Sequence, residues 1–237
     1  MKNFLLVFSC VFGLYSCSKE KITSKLVQLS PFVEVEVNDT FTIELEEDSL
    51  FYIEVVGDEK LIDKVEYKIE SEKLVLSNSK RFKWMQPTKN KTRIIIHSLP
   101  LSKVVASESC FITTNNPITS QEFGLVLGSK LNEAELELNC DVFYFWNNFP
   151  CGGTLELTGR TRDVKLWTDA LFAVDARNLE ASYGNIVNSS KGNIAVRVND
   201  KLDYSIQNEG DINLYGNPTE IFEIEPSTSS GQLINQD

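Results

Sequence analysis

From Pro31 onward, apolar and polar side chains alternate. Phe32, Val33, Val35 and Val37 interleave with Glu34 and Glu36, and Phe41, Ile43 and Leu45 with Thr42, Glu44 and Glu46. Asn38-Asp39-Thr40 between them is a turn signal, so the pattern predicts a β-hairpin. Tyr52–Val56 continues the alternation and Gly57-Asp58 breaks it. Residues 59–65 have room for one helical turn. Val65, Tyr67, Ile69, Leu74 and Leu76 alternate again, up to Arg93-Ile94-Ile95-Ile96-His97. Residues 31–98 therefore read as a small antiparallel β unit.

After Leu99-Pro100 the apolar runs shorten. Strand-like scraps recur at Lys103–Ala106, Phe111–Thr113, Gly124–Leu127, Ala134–Leu138, Thr154–Leu157, Asp163–Leu166, Gly192–Val196 and Gly210–Leu214. Leu136 to Leu155 is 19 residues and Ile194 to Ile212 is 18. A period near 20 with short strands and polar turns is the pattern of a β-solenoid. Gly184-Asn185, Gly192-Asn193 and Gly210-Asp211 stand at strand entries. Glycine there permits positive φ, and Asn or Asp bonds its own backbone. The fold class expected is all-β: a right-handed β-helix, or solenoid, behind a β-rich N-terminal unit.

The first residues obey a different rule. Met1-Lys2-Asn3 precedes an apolar run that closes on Leu14-Tyr15-Ser16-Cys17. About 13 apolar residues are too few for the roughly 20 of a spanning helix. A basic start, a short apolar core and a small residue before the cut make a signal peptide. The tetrapeptide resembles the bacterial lipobox, in which the cysteine is acylated. The division expected is a signal peptide over 1–16, a tether over 17–30, the β unit over 31–98, the solenoid over 99–218 and a tail over 219–237. The membrane partner is reached through the lipid on Cys17, at the outer membrane, on the cell surface or the periplasmic face.

Charge narrows the partners. The chain of 237 residues has a formal net charge of −11. Such a surface repels nucleic acid and anionic headgroups, which argues against a nucleic-acid function and for the lipid as the attachment. One local exception is cationic and aromatic: Lys80-Arg81-Phe82-Lys83-Trp84, with Lys89, Lys91 and Arg93 nearby. It reads as a charged hairpin, or as a site for an anionic partner. Three further cysteines, Cys110, Cys140 and Cys151, read as small buried side chains, with Cys140–Cys151 the pair if a disulfide forms. With one histidine and no CxxC, no metal site and no cofactor are expected.

Catalytic patterns are thin. Glycoside hydrolysis needs two carboxylates about 5–9.5 Å apart across one sugar bond. Asp163, Asp169 and Asp175 flank separate scraps. Glu133, Glu135 and Glu137 alternate with Ala134, Leu136 and Leu138, which reads as a solvated face. His97 ends a strand beside no nucleophile motif. More suggestive is Asp141-Val142-Phe143-Tyr144-Phe145-Trp146-Asn147-Asn148-Phe149, which is apolar on both faces. One face suits the core. The other belongs to an end rung or a loop-covered strand, or else it exposes a patch of Tyr144, Trp146 and Trp167 suited to stacking on a glycan or packing on an envelope protein.

Together these stretches resemble the putative auto-transporter adhesin head domain, or GIN domain, of exported Bacteroidota proteins. The resemblance runs from about Phe32 to Pro218. It rests on Phe32–Val37, Leu74-Val75-Leu76, Ile94-Ile95-Ile96 before Leu99-Pro100, and most specifically on Gly210–Pro218. The family's repeated Ser-Gly-Ser-Gly is degraded here to Ala106–Ser109 and Leu127–Lys130. The resemblance implies a right-handed β-helix and no established activity. The function expected is a non-catalytic, lipid-anchored binding or adhesion module of the cell envelope. The alternatives are a carbohydrate-active enzyme on the same scaffold and a structural component of the envelope.

Overall fold

In the computed structural model, residues 21–79, 92–128, 131–148 and 150–236 are described. Cys17 and the cationic stretch from Lys80 to Lys91 lie outside them, as do Ser129, Lys130 and Phe149.

The strands are β1 (Ile22–Gln28), β2 (Glu34–Val37), β3 (Thr42–Glu47), β4 (Tyr52–Asp58), β5 (Val65–Glu70), β6 (Lys73–Asn78), β7 (Arg93–Ser98), β8 (Lys103–Ala106), β9 (Phe111–Thr114), β10 (Glu122–Leu127), β11 (Leu131–Asn147), β12 (Gly152–Ser190), β13 (Ile194–Ile206), β14 (Ile212–Tyr215), β15 (Glu220–Glu223) and β16 (Leu233–Asn235). One short helix, α1 (Glu59–Ile62), follows β4 and is capped by the Asp58 side chain. The chain winds as a β-solenoid of about six turns. Each turn lays one strand on each of two parallel columns. One column stacks β2, β8, β10 and the second half of β11. The other stacks β3, β9 and the first half of β11. β11 and β12 bend through the corners without losing strand conformation, which accounts for their lengths.

Alternation fills the interior. Along β11 every second residue from Asn132 to Cys140 is buried. Phe123, Phe143, Phe145 and Phe172 are fully enclosed. Phe123 stacks on Phe143 at 6.1 Å and Phe145 meets Phe172 at 5.0 Å.

Four sequence expectations change. The predicted hairpin is a solenoid corner: β2 and β3 do not pair with each other. Val35 stacks on Val104 and Ile43 on Ile112, both in parallel register. Period two is the same in a hairpin and in a stacked rung, so alternation could not name the partner. The 31–98 unit is accordingly not separate and not wholly antiparallel. Its antiparallel pairs are β1–β4, β4–β7 and β5–β6, built onto the first rung. The expected tether contains β1, paired along its whole length with β4. The expected tail contains β15 and β16, which stack on β13 and β14. Both segments have weak patterns because edge strands bury little.

The register also differs. Leu136 stacks on Leu157, not Leu155, while Ile194 does stack on Ile212. Gly192 and Gly210 are required for a reason other than positive φ, which among the described glycines occurs at Gly153, Gly159 and Gly216. A Cβ on Gly210 would sit 2.1 Å from the Gly192 carbonyl oxygen, and one on Gly192 would sit 2.2 Å from that of Phe172. Successive rungs approach too closely there for any side chain.

Buried polar residues secure the corners. Asn188 donates to the carbonyls of Gly192 (3.1 Å) and Gly210 (3.0 Å). Its own oxygen accepts from the Thr168 hydroxyl (2.8 Å) and the Ser190 amide (3.0 Å). Asn147 does the same one turn earlier, bridging the carbonyl of Cys151 and both backbone groups of Asp169. Enclosed carbonyls need such partners, since an unpaired one costs about 1–3 kcal/mol. No disulfide forms between Cys140 and Cys151: Cys110, Cys140 and Cys151 are free buried thiols.

Candidate binding surface

The aromatic segment is neither an end rung nor fully covered. β11 lies in the middle of the stack, and its second half directs Phe143 and Phe145 inward and Tyr144 and Trp146 outward. Parallel register then extends the outward row. Val105, Val126, Trp146 and Trp167 stand side by side on successive rungs, and so do Lys103, Gly124, Tyr144 and Lys165. Trp146 and Trp167 remain 37% and 36% exposed.

The rings lie against the sheet. Tyr144 and Trp146 are 5.7 Å apart and within 19° of parallel. Tyr144 crosses over Gly124, where a Cβ would come within 2.0 Å of the ring. Gly124 thus gives the tyrosine a bed, and Val126, 5% exposed, lies beside Trp146 in the rung before. Burial pushes the Tyr144 phenol above its ordinary value, opposed by nearby Lys103. The phenol is therefore neutral at physiological pH. On the N-terminal side the platform is bordered by ion pairs, Lys103–Glu34 at 2.9 Å and Lys73–Glu36. The hydrogen bond from Lys73, then that from Asn38, holds the Glu36 carboxyl below its usual range. The result is a flat apolar strip, flanked by paired charges and Lys165.

The sequence candidates for catalysis do not converge. Asp163 pairs with Arg162 (2.8 Å) and Asp175 with Arg177 (2.9 Å). They face outward on different columns, Asp163 level with Val142 and Asp175 level with Ala195. Asp169 accepts the backbone N–H of Ala170, whose φ of 60° marks a tight corner. Glu133, Glu135 and Glu137 line the exposed face of β11, as alternation required. His97 is buried and stacked on Tyr52 at 4.0 Å, with Nδ1 3.5 Å from Asp48 and 3.8 Å from Glu46. Among the described residues no group of three metal-ligating side chains comes together. Burial raises all three cysteine thiols, Cys110 to about 11, which removes thiolate chemistry near neutral pH.

Sequence reading found the three aromatics but missed Gly124 and Val126. Each stands about one turn away in the chain, and only parallel register brings it beside an aromatic.

The profile described as putative auto-transporter adhesin, head GIN domain, matches residues 31–218. The chain belongs to this family. Solved GIN-like structures agree on the fold. A putative adhesin from Bacteroides fragilis superposes with a TM-score of 0.80 at 16% identity, over 91% of this chain and 97% of that one. A putative adhesin from Parabacteroides distasonis gives 0.63 at 15% identity, over 92% and 98%. A protein of the same organism described as a putative lipid binding protein gives 0.60 at 16% identity, over 91% and 97%. At these identities the likeness is one of fold alone. No curated protein matches the sequence.

Proposed function

We propose that this GIN-domain protein is a non-catalytic adhesin-like module of the cell envelope, held by a lipid on Cys17, and that its contact surface is the Tyr144–Trp146–Trp167 platform. The observation behind the contact surface is the pair of exposed tryptophans stacked in register beside a flattened tyrosine. Large apolar area left open on a rigid sheet marks an interaction site. Flat aromatic faces with polar groups at their border suit a sugar ring, which offers C–H faces to the rings and hydroxyls to Lys103, Lys165 and Glu122. A neutral polysaccharide is the partner class that fits, because the bordering charges are largely paired. The family and the separated aspartates both favour binding over hydrolysis.

The experiment is a polysaccharide binding panel on the soluble domain, wild type beside Trp146→Ala and Trp167→Ala. Each variant is expected to lose about tenfold or more in affinity, roughly 1.4 kcal/mol, with an unchanged unfolding midpoint. Wild-type binding that both variants retain in full would remove the platform from the reading. Product release abolished by Asp169→Asn would replace binding with catalysis.

A further inference from the structure

We infer that the β1 end of the solenoid rests on the bilayer surface, so that the molecule stands on the membrane end-on with β15 and β16 farthest away. This rests on the proposed acylation of Cys17. Five residue steps separate Cys17 from Ile22, where β1 begins. Fully extended, they reach about 17 Å. The lipid therefore holds β1 close to the headgroups and leaves little freedom to stand off.

Topology makes β1 an extreme of the molecule. It is the outermost strand of one column and β5 is the outermost of the other, at the same end. The opposite end is formed by β15 and β16. Strands stack about 4.8 Å apart, and about ten steps lead from β1 to β16, so the two ends are roughly 45 Å apart. A short leash at one extreme allows two postures, standing or lying on a flank.

Charge and apolar exposure choose between them. The anchored end, residues 21–28 and 58–70, has five Lys against five Asp or Glu. Lys21 pairs with Glu59 and Lys25 approaches Asp63. It also exposes Ile22 (63%) and Leu26 (67%), two steps of period two apart on the same face of β1, and Tyr67 on β5. The body of the solenoid, residues 131–236, has sixteen Asp or Glu against seven Lys or Arg. Lying down would press that acidic flank against phosphate headgroups, whereas standing places the balanced, partly apolar end there. Standing also lifts the aromatic platform, midway along the stack, clear of the lipid.

The test uses full-length acylated protein in vesicles containing anionic phospholipid, with nitroxide labels at Ser24→Cys on β1 and, separately, at Thr228→Cys between β15 and β16. On reconstitution the Ser24 label should gain collisions with lipid-soluble oxygen and lose those with an aqueous nickel complex. The Thr228 label should keep its solution values. Equal protection of both labels means the protein lies flat, and no protection of either means it stands off; each overturns the inference. Ile22→Asp with Leu26→Asp, on an exposed edge, should return the Ser24 label to aqueous values while the protein stays membrane-bound. The anchor is scored apart: Cys17→Ala still in the membrane fraction defeats the lipidation reading itself, while a released Cys17→Ala with a water-exposed Ser24 label on acylated protein defeats only the posture.

Discussion

Single residues here are fixed by the rung beside them more than by their neighbours in sequence. Gly210 shows this. Its backbone is unremarkable in φ, yet a Cβ would collide with the Gly192 carbonyl at 2.1 Å and approach the Asn188 amide at 2.9 Å. Gly210→Ala should destabilise the protein by about 1–3 kcal/mol, the usual cost of forcing extra volume into a packed site, read as a lower midpoint in urea unfolding. Sequence reading marked this glycine correctly but assigned it a conformational reason. The steric reason was hidden because the colliding group lies 18 residues away. The same limit applies to Gly124, whose role under Tyr144 no local pattern announces.

Strands behave differently, because their inward and outward faces are set by period two. Ile43, Leu45, Phe143, Phe145, Leu155 and Leu157 are all buried where alternation places them. What alternation cannot supply is the closing of one strand onto the next turn, which falls to the corner asparagines. Asn188 joins the end of β12 to the loops before β13 and β14 through four hydrogen bonds of 2.8–3.1 Å. Asn188→Ala should cost about 2–4 kcal/mol, since it strands two carbonyls, a hydroxyl and an amide inside the fold. The check is hydrogen exchange: the amides of β13 and β14 should lose protection first, while those of β2 and β3 keep theirs. Uniform loss would mean the corner is not a local fastening.

At the scale of the molecule, stacked turns contact only their neighbours, so stability adds along the axis and unfolding can begin at either end. Charge is distributed unevenly on that frame, and the carboxylate excess over residues 131–236 repels itself across successive rungs. Salt screens such repulsion within about 10 Å at 0.1 M. Raising sodium chloride from about 10 mM to 150 mM should therefore raise the thermal midpoint, followed by circular dichroism. A falling midpoint would show that the surface pairs, such as Lys191–Glu209 and Arg177–Asp175, outweigh the repulsion.

The sequence by itself determined the all-β class, the near-20 period, the inward faces of most strands and the aromatic segment. These are local quantities, written in alternation and in the spacing of turns. Only the tertiary structure decided that the first two strands form a corner and not a hairpin, that β1, β15 and β16 extend the stack, and that Leu136 rests on Leu157. It also decided that Tyr144, Trp146 and Trp167 share one open face, and that Asp163, Asp169 and Asp175 do not. Each depends on which residue of the next turn lies alongside. A parallel stack fixes that register through side-chain fit and corner hydrogen bonds between residues some twenty positions apart, beyond the reach of any pattern read along the chain.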